Sequence, residues 1–444
     1  MGYIVYFNVV KSKEIINSPY NVRLDSMADR VVRGKILDSE GEVLAETVVN
    51  SDGSEIRRYP YGDLYAHVVG YDSHGKSGLE STENFNLLSS HAFFVERLVN
   101  TVQEKKNVGD NVITTLNTEL QKVAYNALGS YKGAVIVTEA STGKVLAMVS
   151  KPTFNPNKIL DNWDYLVNSE KSELLNRATQ GSYAPGSVFK IVTALEYIRE
   201  NRNYDGYSYE CEGAITYEGT TIHCAKNTVH GEEDLKSAFA NSCNSAFSDM
   251  GLSLSIGSYM NTAEDLLFNS KLPSILPYSK SKFVLERKSE SSEIMMTAMG
   301  QGKTQMSPYH MTLITAAIAN GGVVMEPYLV DEIVNYTGST VAKNYPNRYK
   351  RLMTTSEAAK LKEYMTEVVA SGTGYALNNA NYTVAGKTGT AEYSSDKEKS
   401  HSWFTGFSNV DNPELVITVI VESADNSGMS AVTVAKKVLN AYYN

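Results

Sequence analysis

Two blocks with strand patterning lie far apart in the chain. The first, "GAVIVTEASTGKVLAMVS" at 133–150, is two β-rich runs joined by Ala-Ser-Thr-Gly, which reads as a hairpin. The second comprises "YTVAGKTGTAEY" (382–393), "HSWFTGFS" (401–408) and "ELVITVIVE" (414–422). Between them, from about 186 to 380, the pattern reads as mostly helical, as in "MTLITAAIAN" at 311–320. A last amphipathic helix is expected over 429–443, and a strand followed by a helix from near Asn117 over 109–129. Strands at both ends and helices between them imply one sheet closed by distant segments and covered by helices, an α+β fold.

Upstream, residues 22–100 form a separate unit. "RVVRGKILDSEGEVLAE" (30–46) alternates as two strands around Ser39-Glu40-Gly41, and 57–80 is rich in Gly and Tyr turns. The 444 residues suffice for two or three domains. The net charge of -9 and the absence of a long Lys/Arg run leave nucleic-acid binding without electrostatic support. The apolar run Gly2–Val10 is too short to span a bilayer and turns polar at Lys11. It reads either as a first strand or as the outer end of a membrane anchor.

"GSYAPGSVFK" (181–190) places Ser187 after Pro185-Gly186 and Lys190 three residues later, where an apolar helical run begins. Residues three apart share a helix face. A serine hydroxyl is a weak nucleophile until a base takes its proton, and a lysine does this only when neutral. The bland alternative is a capping serine beside a solvated lysine. The same spacing at Ser73/Lys76, Ser141/Lys144, Ser279/Lys282 and Ser394/Lys397 lies in polar or turn-like stretches, so the pair alone decides nothing. Two further stretches complete an acyl-transfer set. "NSCNSAF" (241–247) supplies Ser242 as a proton relay and Asn244 as a partner for a substrate amide. "GKTGT" (386–390) supplies Lys387, a cation suited to a substrate carboxylate and to keeping Lys190 neutral by repulsion. The N–H groups of Ser187 and Thr390 are the candidate oxyanion donors, and Gly389 permits close approach to its strand.

Ser187-x-x-Lys190, Ser242-x-Asn244 and Lys387-Thr388-Gly389, in this order, resemble the three signatures of penicillin-binding proteins and serine β-lactamases. The stretches 133–157, 176–190, 300–308, 317–322 and 387–407 resemble the transpeptidase domain of class B penicillin-binding proteins, and 33–46 and 59–80 their N-terminal module. The likeness covers nearly the whole chain and is nearest to the compact, PbpA-like type.

The resemblance implies a penicillin-binding transpeptidase fold: an antiparallel sheet with helices on both faces and a helical subdomain, after a small β-rich domain. The implied division is an anchor end at 1–21, a pedestal at 22–105 and a transpeptidase domain at 106–444. The implied activity is D,D-transpeptidation of peptidoglycan stem peptides ending in D-Ala-D-Ala, through an acyl-enzyme on Ser187 that β-lactams also form. Lys190 and Ser242 would share catalysis, and Asn244, Lys387, Thr388, Gly389 and Thr390 would bind substrate. No cofactor is needed for that chemistry. Membrane anchorage at the extracytoplasmic face of a bacterium and a SEDS-type glycan polymerase as partner are further implications. A β-lactamase is disfavoured, because no Glu-x-x-Leu-Asn stretch lies between Ser242 and Lys387. A D,D-carboxypeptidase and a non-catalytic β-lactam sensor or scaffold stay open.

The three cysteines, Cys211, Cys224 and Cys243, fall in one window, and Cys243 sits inside the Ser-x-Asn signature. With His230, or His223 as the alternative fourth ligand, they would make a tetrahedral zinc site. Buried free thiols, or one disulfide with a thiol left over, are the other readings.

Overall fold

The computed structural model describes residues 27–444 except 93–98, 101, 104, 379–380, 393–399 and 425–428. The expected anchor end and the Ser394/Lys397 pair lie outside the described residues. Along the chain come β1 (Ile36–Leu37), β2 (Val43–Val49), β3 (Glu55–Arg58), β4 (Asn111–Thr114), β5 (Gly133–Glu139), β6 (Val145–Lys151), β7 (Val330–Val334), β8 (Thr340–Lys343), β9 (Val384–Glu392), β10 (Ser400–Ser408) and β11 (Leu415–Val421). The main helices are α1 (Thr118–Leu128), α2 (Lys190–Glu200), α3 (Leu235–Ala240), α4 (Asn244–Ser253), α5 (Pro308–Ala319), α6 (Thr355–Ala370) and α7 (Ala431–Tyr443).

The two distant strand blocks meet in one five-stranded sheet of order β9-β10-β11-β5-β6, antiparallel throughout. Strands β5 and β11 are buried on both faces, so they read as continuous apolar runs and not as alternation. Alternate residues still point to opposite faces. Val135, Val137, Ile417 and Val419 pack with Ala124, Val434 and Val438 of α1 and α7, whereas Ala134, Ile136, Val416 and Ile420 pack with Ile314 and Ile318 of α5. Helix α5 is buried almost all round. Ser307 caps it, its Oγ accepting from His310 N at 3.2 Å, and Pro308 occupies the first turn, where its missing N–H costs nothing. The sheet leaves β9 as an edge, and that edge carries Lys387.

A second sheet, of order β8-β7-β4-β1-β2-β3, takes strands from both sides of residue 105. The hairpin expected around Ser39–Gly41 joins β1 to β2. Beneath this sheet the buried Glu80 carboxylate accepts from Arg33 Nε at 2.6 Å and Arg57 Nε at 2.7 Å.

The stretch 186–380 is less helical than its pattern suggests. Tyr209–Cys211 pairs with Gly231–Glu233, and Ala214–Tyr217 with Thr220–His223. The second pair is a hairpin whose turn, Glu218-Gly219, has φ of 47° and 81°, the left-handed geometry of two-residue hairpin loops. Such short, polar strands show no sustained alternation.

Candidate active site

Ser187 lies on a short 3-10 turn, Gly186–Phe189, and α2 begins at Lys190, three residues after the serine. In 3-10 geometry residues i and i+3 eclipse, so hydroxyl and amine rise from one side. Gly186 has φ +56°, and a Cβ there would stand 2.5 Å from Thr390 O. Only glycine lets this turn abut β9. The Ser187 side chain is half-buried, and its hydroxyl makes no hydrogen bond among the described residues.

The other two signatures converge on the Lys190 amine. Ser242 sits in the turn between α3 and α4 with φ +58°. Lys190 Nζ donates to Ser242 O at 2.6 Å, Asn244 Oδ1 at 2.8 Å and Ser242 Oγ at 3.2 Å. Lys387 Nζ reaches the same hydroxyl at 3.0 Å and Thr388 O at 3.2 Å. Ser242 Oγ thus bridges two amines that belong to different elements. Asn244 is oriented in turn, since its Nδ2 donates to His223 O at 3.0 Å.

Both amines are fully buried, and neither has a carboxylate partner among the described residues. Burial pushes the Lys190 amine down to about 7, although the nearby Cys243 and Cys224 sulfurs push it back up. The Lys387 amine is also held well below its ordinary value, by burial first and then by the Lys190 charge. The sequence predicts repulsion between these two amines; burial is the first cause at both, and the repulsion adds to it. Aromatic faces are their nearest soft partners: Lys190 Nζ lies 5.3 Å from the Phe247 ring centroid and Lys387 Nζ 5.6 Å from that of Phe239.

Strand β9 forms the opposite wall. Thr390 O accepts from Gln301 Nε2 at 3.4 Å, on the side away from β10. A strand residue's N–H and C=O share one edge, so the Thr390 N–H also faces outward, towards the Ser187 turn. Gly389 serves a different purpose from the one its sequence position suggests. A Cβ there would stand 3.1 Å from Val188 Cγ1 and 3.2 Å from both Trp403 Cβ and Val188 N. The space is used by the serine turn and not left for a ligand.

The cysteines cluster just behind Asn244. Cys224 Sγ lies 3.7 Å from both Cys211 Sγ and Cys243 Sγ, and Cys211 Sγ lies 3.3 Å from His230 Nδ1. The four ligand atoms all fall within 4.8 Å of one another. All three thiols are free, so the disulfide reading fails. His223, the alternative fourth ligand, is outside the group; it serves through its carbonyl on Asn244. Zinc–sulfur bonds of about 2.3 Å at tetrahedral angles separate sulfurs by about 3.8 Å, close to the spacing seen.

Phe239, Phe247 and Thr373 complete the surroundings and carry no motif of their own. The two phenylalanines flank "ANSCNSA" symmetrically, the one available signal that the signature is wrapped in apolar surface.

The chain belongs to the penicillin-binding protein transpeptidase family. The penicillin binding protein transpeptidase domain matches residues 133–441, and the penicillin binding protein A dimerisation domain matches 33–112. Among curated relatives, peptidoglycan D,D-transpeptidase PbpA of Mycolicibacterium smegmatis is 30% identical over 416 residues, covering 88% of this chain and 84% of the relative. Peptidoglycan D,D-transpeptidase MrdA of Haemophilus influenzae is 28% identical, covering 91% and 68%. Among solved structures, the penicillin G acyl-enzyme of penicillin-binding protein A from Mycobacterium tuberculosis superposes with a TM-score of 0.83 at 28% identity, covering 93% of this chain and 99% of that one. No helix among the described residues is long and apolar enough to cross a membrane.

Proposed function

We propose that this chain is a serine D,D-transpeptidase that cross-links peptidoglycan stem peptides through an acyl-enzyme on Ser187, the serine that β-lactams would also acylate. The observation that carries this reading is the junction at Ser242 Oγ, where Lys190 and Lys387 meet from separate elements. With its amine near neutrality, Lys190 accepts the Ser187 proton as Oγ attacks the penultimate D-alanine carbonyl. The N–H groups of Ser187 and Thr390 hold the oxyanion. When the C–N bond breaks, the proton passes through Ser242 Oγ to the departing D-alanine amine. The amine of a neighbouring stem peptide then attacks the ester, forms the new amide and frees Ser187. Lys387 and Thr388 receive the substrate carboxylate, which restores the Lys387 charge. Asn244 presents its amide beside the acyl group.

Labelling with fluorescent penicillin tests this. Wild type is expected to label covalently and Ser187→Ala not at all. Label persisting in Ser187→Ala would mean that another residue is the nucleophile. An unlabelled wild type would favour a scaffold, and release of D-alanine without cross-linking would favour a carboxypeptidase.

The family's chemistry calls for no cofactor. The Cys211, Cys224, Cys243 and His230 cluster is proposed to hold a structural zinc ion, on the strength of its sulfur spacing. Held so, the segment 211–230 would keep the His223 carbonyl on Asn244. Purified protein should then carry near one zinc per chain, and below about 0.1 the assignment fails, since a structural site binds stoichiometrically. The pedestal and catalytic units are proposed at 22–105 and 106–444, with membrane anchorage at the extracytoplasmic face and a SEDS-type polymerase as partner.

A further inference from the structure

The strongest unassigned feature is a strap between the two halves of the groove. Helix α6 ends in a tight turn, with Ser371 N and Gly372 N both donating to Glu367 O. The next residue, Thr373, then touches both substrate-facing segments. Its N–H donates to Ala240 O at 3.2 Å, two residues before Ser242. Its Oγ1 lies 2.6 Å from Thr388 Oγ1 on β9. Gly372 makes the approach possible, because a Cβ there would stand 2.3 Å from Ala240 O. An exposed hydroxyl pair of this kind does little for folding by itself. Here it joins the Ser-x-Asn turn to the Lys-Thr-Gly strand at the rim where a carboxylate would enter.

We propose that Thr373 is a positioning residue that sets the Thr388 hydroxyl as a donor towards the substrate carboxylate. The inference rests on the assignment of Lys387 and Thr388 to that carboxylate. Two hydroxyls 2.6 Å apart share one proton between them and leave the other free. When Thr373 donates to Thr388, the Thr388 proton is the free one, left for an anion held by Lys387. An anion selects this orientation because it needs a donor. Without the Thr373 hydroxyl, Thr388 donates elsewhere or turns freely, and the strand loses its tie to the Ser242 turn.

The test is single-turnover acylation by a penicillin and by its methyl ester, which has no free carboxylate. Thr373→Val keeps the shape and removes the hydroxyl; Thr373→Ser restores it. Thr373→Val is expected to raise the half-saturating concentration of the free acid by about three- to tenfold, the size of one neutral hydrogen bond such as the hydroxyl pair it removes. The maximal acylation rate, the thermal midpoint and the reaction with the ester should hardly change, and Thr373→Ser should behave as wild type. Equal weakening of acid and ester, or no change with either, would overturn the proposal. A wild type that neither compound acylates would instead overturn the serine acyl-enzyme reading, and this inference with it.

Discussion

Two of the places where the molecule buries basic side chains treat them in opposite ways. In the N-terminal sheet, Arg33 and Arg57 close on Glu80, whose side chain is wholly buried. Burial alone would push that carboxyl up, but the two guanidinium groups override it and hold the group below its ordinary value. Asn84 and the Glu80 carbonyl take further Arg33 protons. In the groove, Lys190 and Lys387 are buried as deeply, yet their partners are hydroxyls, amides, carbonyls and aromatic faces. No carboxylate among the described residues offsets the lost hydration of their charge, so both amines are pushed towards neutrality. The same physical operation, taking a cation out of water, gives an inert strut when a carboxylate goes with it and a base when none does. Residue choice follows this division: guanidinium stays charged and suits the strut, while ammonium gives up its proton when desolvated.

Substitutions can break this contrast. The largest effect is expected from Lys190→Met, which removes the amine but keeps an apolar stem. Acylation by penicillin should fall about 10²- to 10⁴-fold, as for loss of a general base, while the protein stays folded. A fall of less than about tenfold would deny Lys190 its role. Next in size, Glu80→Ala strands two buried guanidinium groups and should cost about 3–5 kcal/mol in urea unfolding. The acylation rate of the protein that remains folded should stay as in wild type. If Glu80→Ala changed the rate and not the stability, strut and base would not be separable, and the comparison would collapse.

How much of this was readable beforehand differs between the two places. Ser187, Lys190, Ser242 and Lys387 announce themselves because short spacings put reactive groups on one turn, and the structure brings all three segments together. The hairpin at 133–150 was legible for a similar reason, its strands being long enough to show β-type composition around an obvious turn. The Arg33–Glu80–Arg57 cluster was not, since its members lie on three elements and no local pattern joins an arginine to a glutamate across a sheet. Thr373 was hidden likewise, as an ordinary threonine whose two contacts are both long-range. The short strands at 209–233 were missed because their pairing is held by turn geometry and by the cysteine cluster, not by an apolar face. Gly389 teaches a finer lesson. A glycine in a strand marks close approach, but only the fold tells whether the neighbour is a ligand or the protein's own backbone.

The smallest expected effect is also the most discriminating, because strut and base should answer pH in separate windows. Glu80 has a depressed carboxyl, so its stabilisation is present above its unfolded value near 4.5 and disappears as pH falls through its folded value. Lys190 is depressed from 10.5 to about 7. Between these values the unfolded chain binds more protons than the folded one, so this group makes stability rise with pH across that window, and its full penalty is felt below about 7. Its neutral form is the base, so the rate constant for penicillin acylation should climb with pH through about 7, up to about tenfold per unit on the acid side. Lys387, Cys224 and Cys243 face the same amine; burial is the first cause of where the climb falls, and the two sulfurs push it back up. Adding Glu80→Ala should leave its midpoint in place, since the ionic cluster belongs to the other sheet. A flat profile from pH 5.5 to 8.5, or a midpoint that moves with Glu80→Ala, would show that desolvation of Lys190 is not what makes Ser187 reactive.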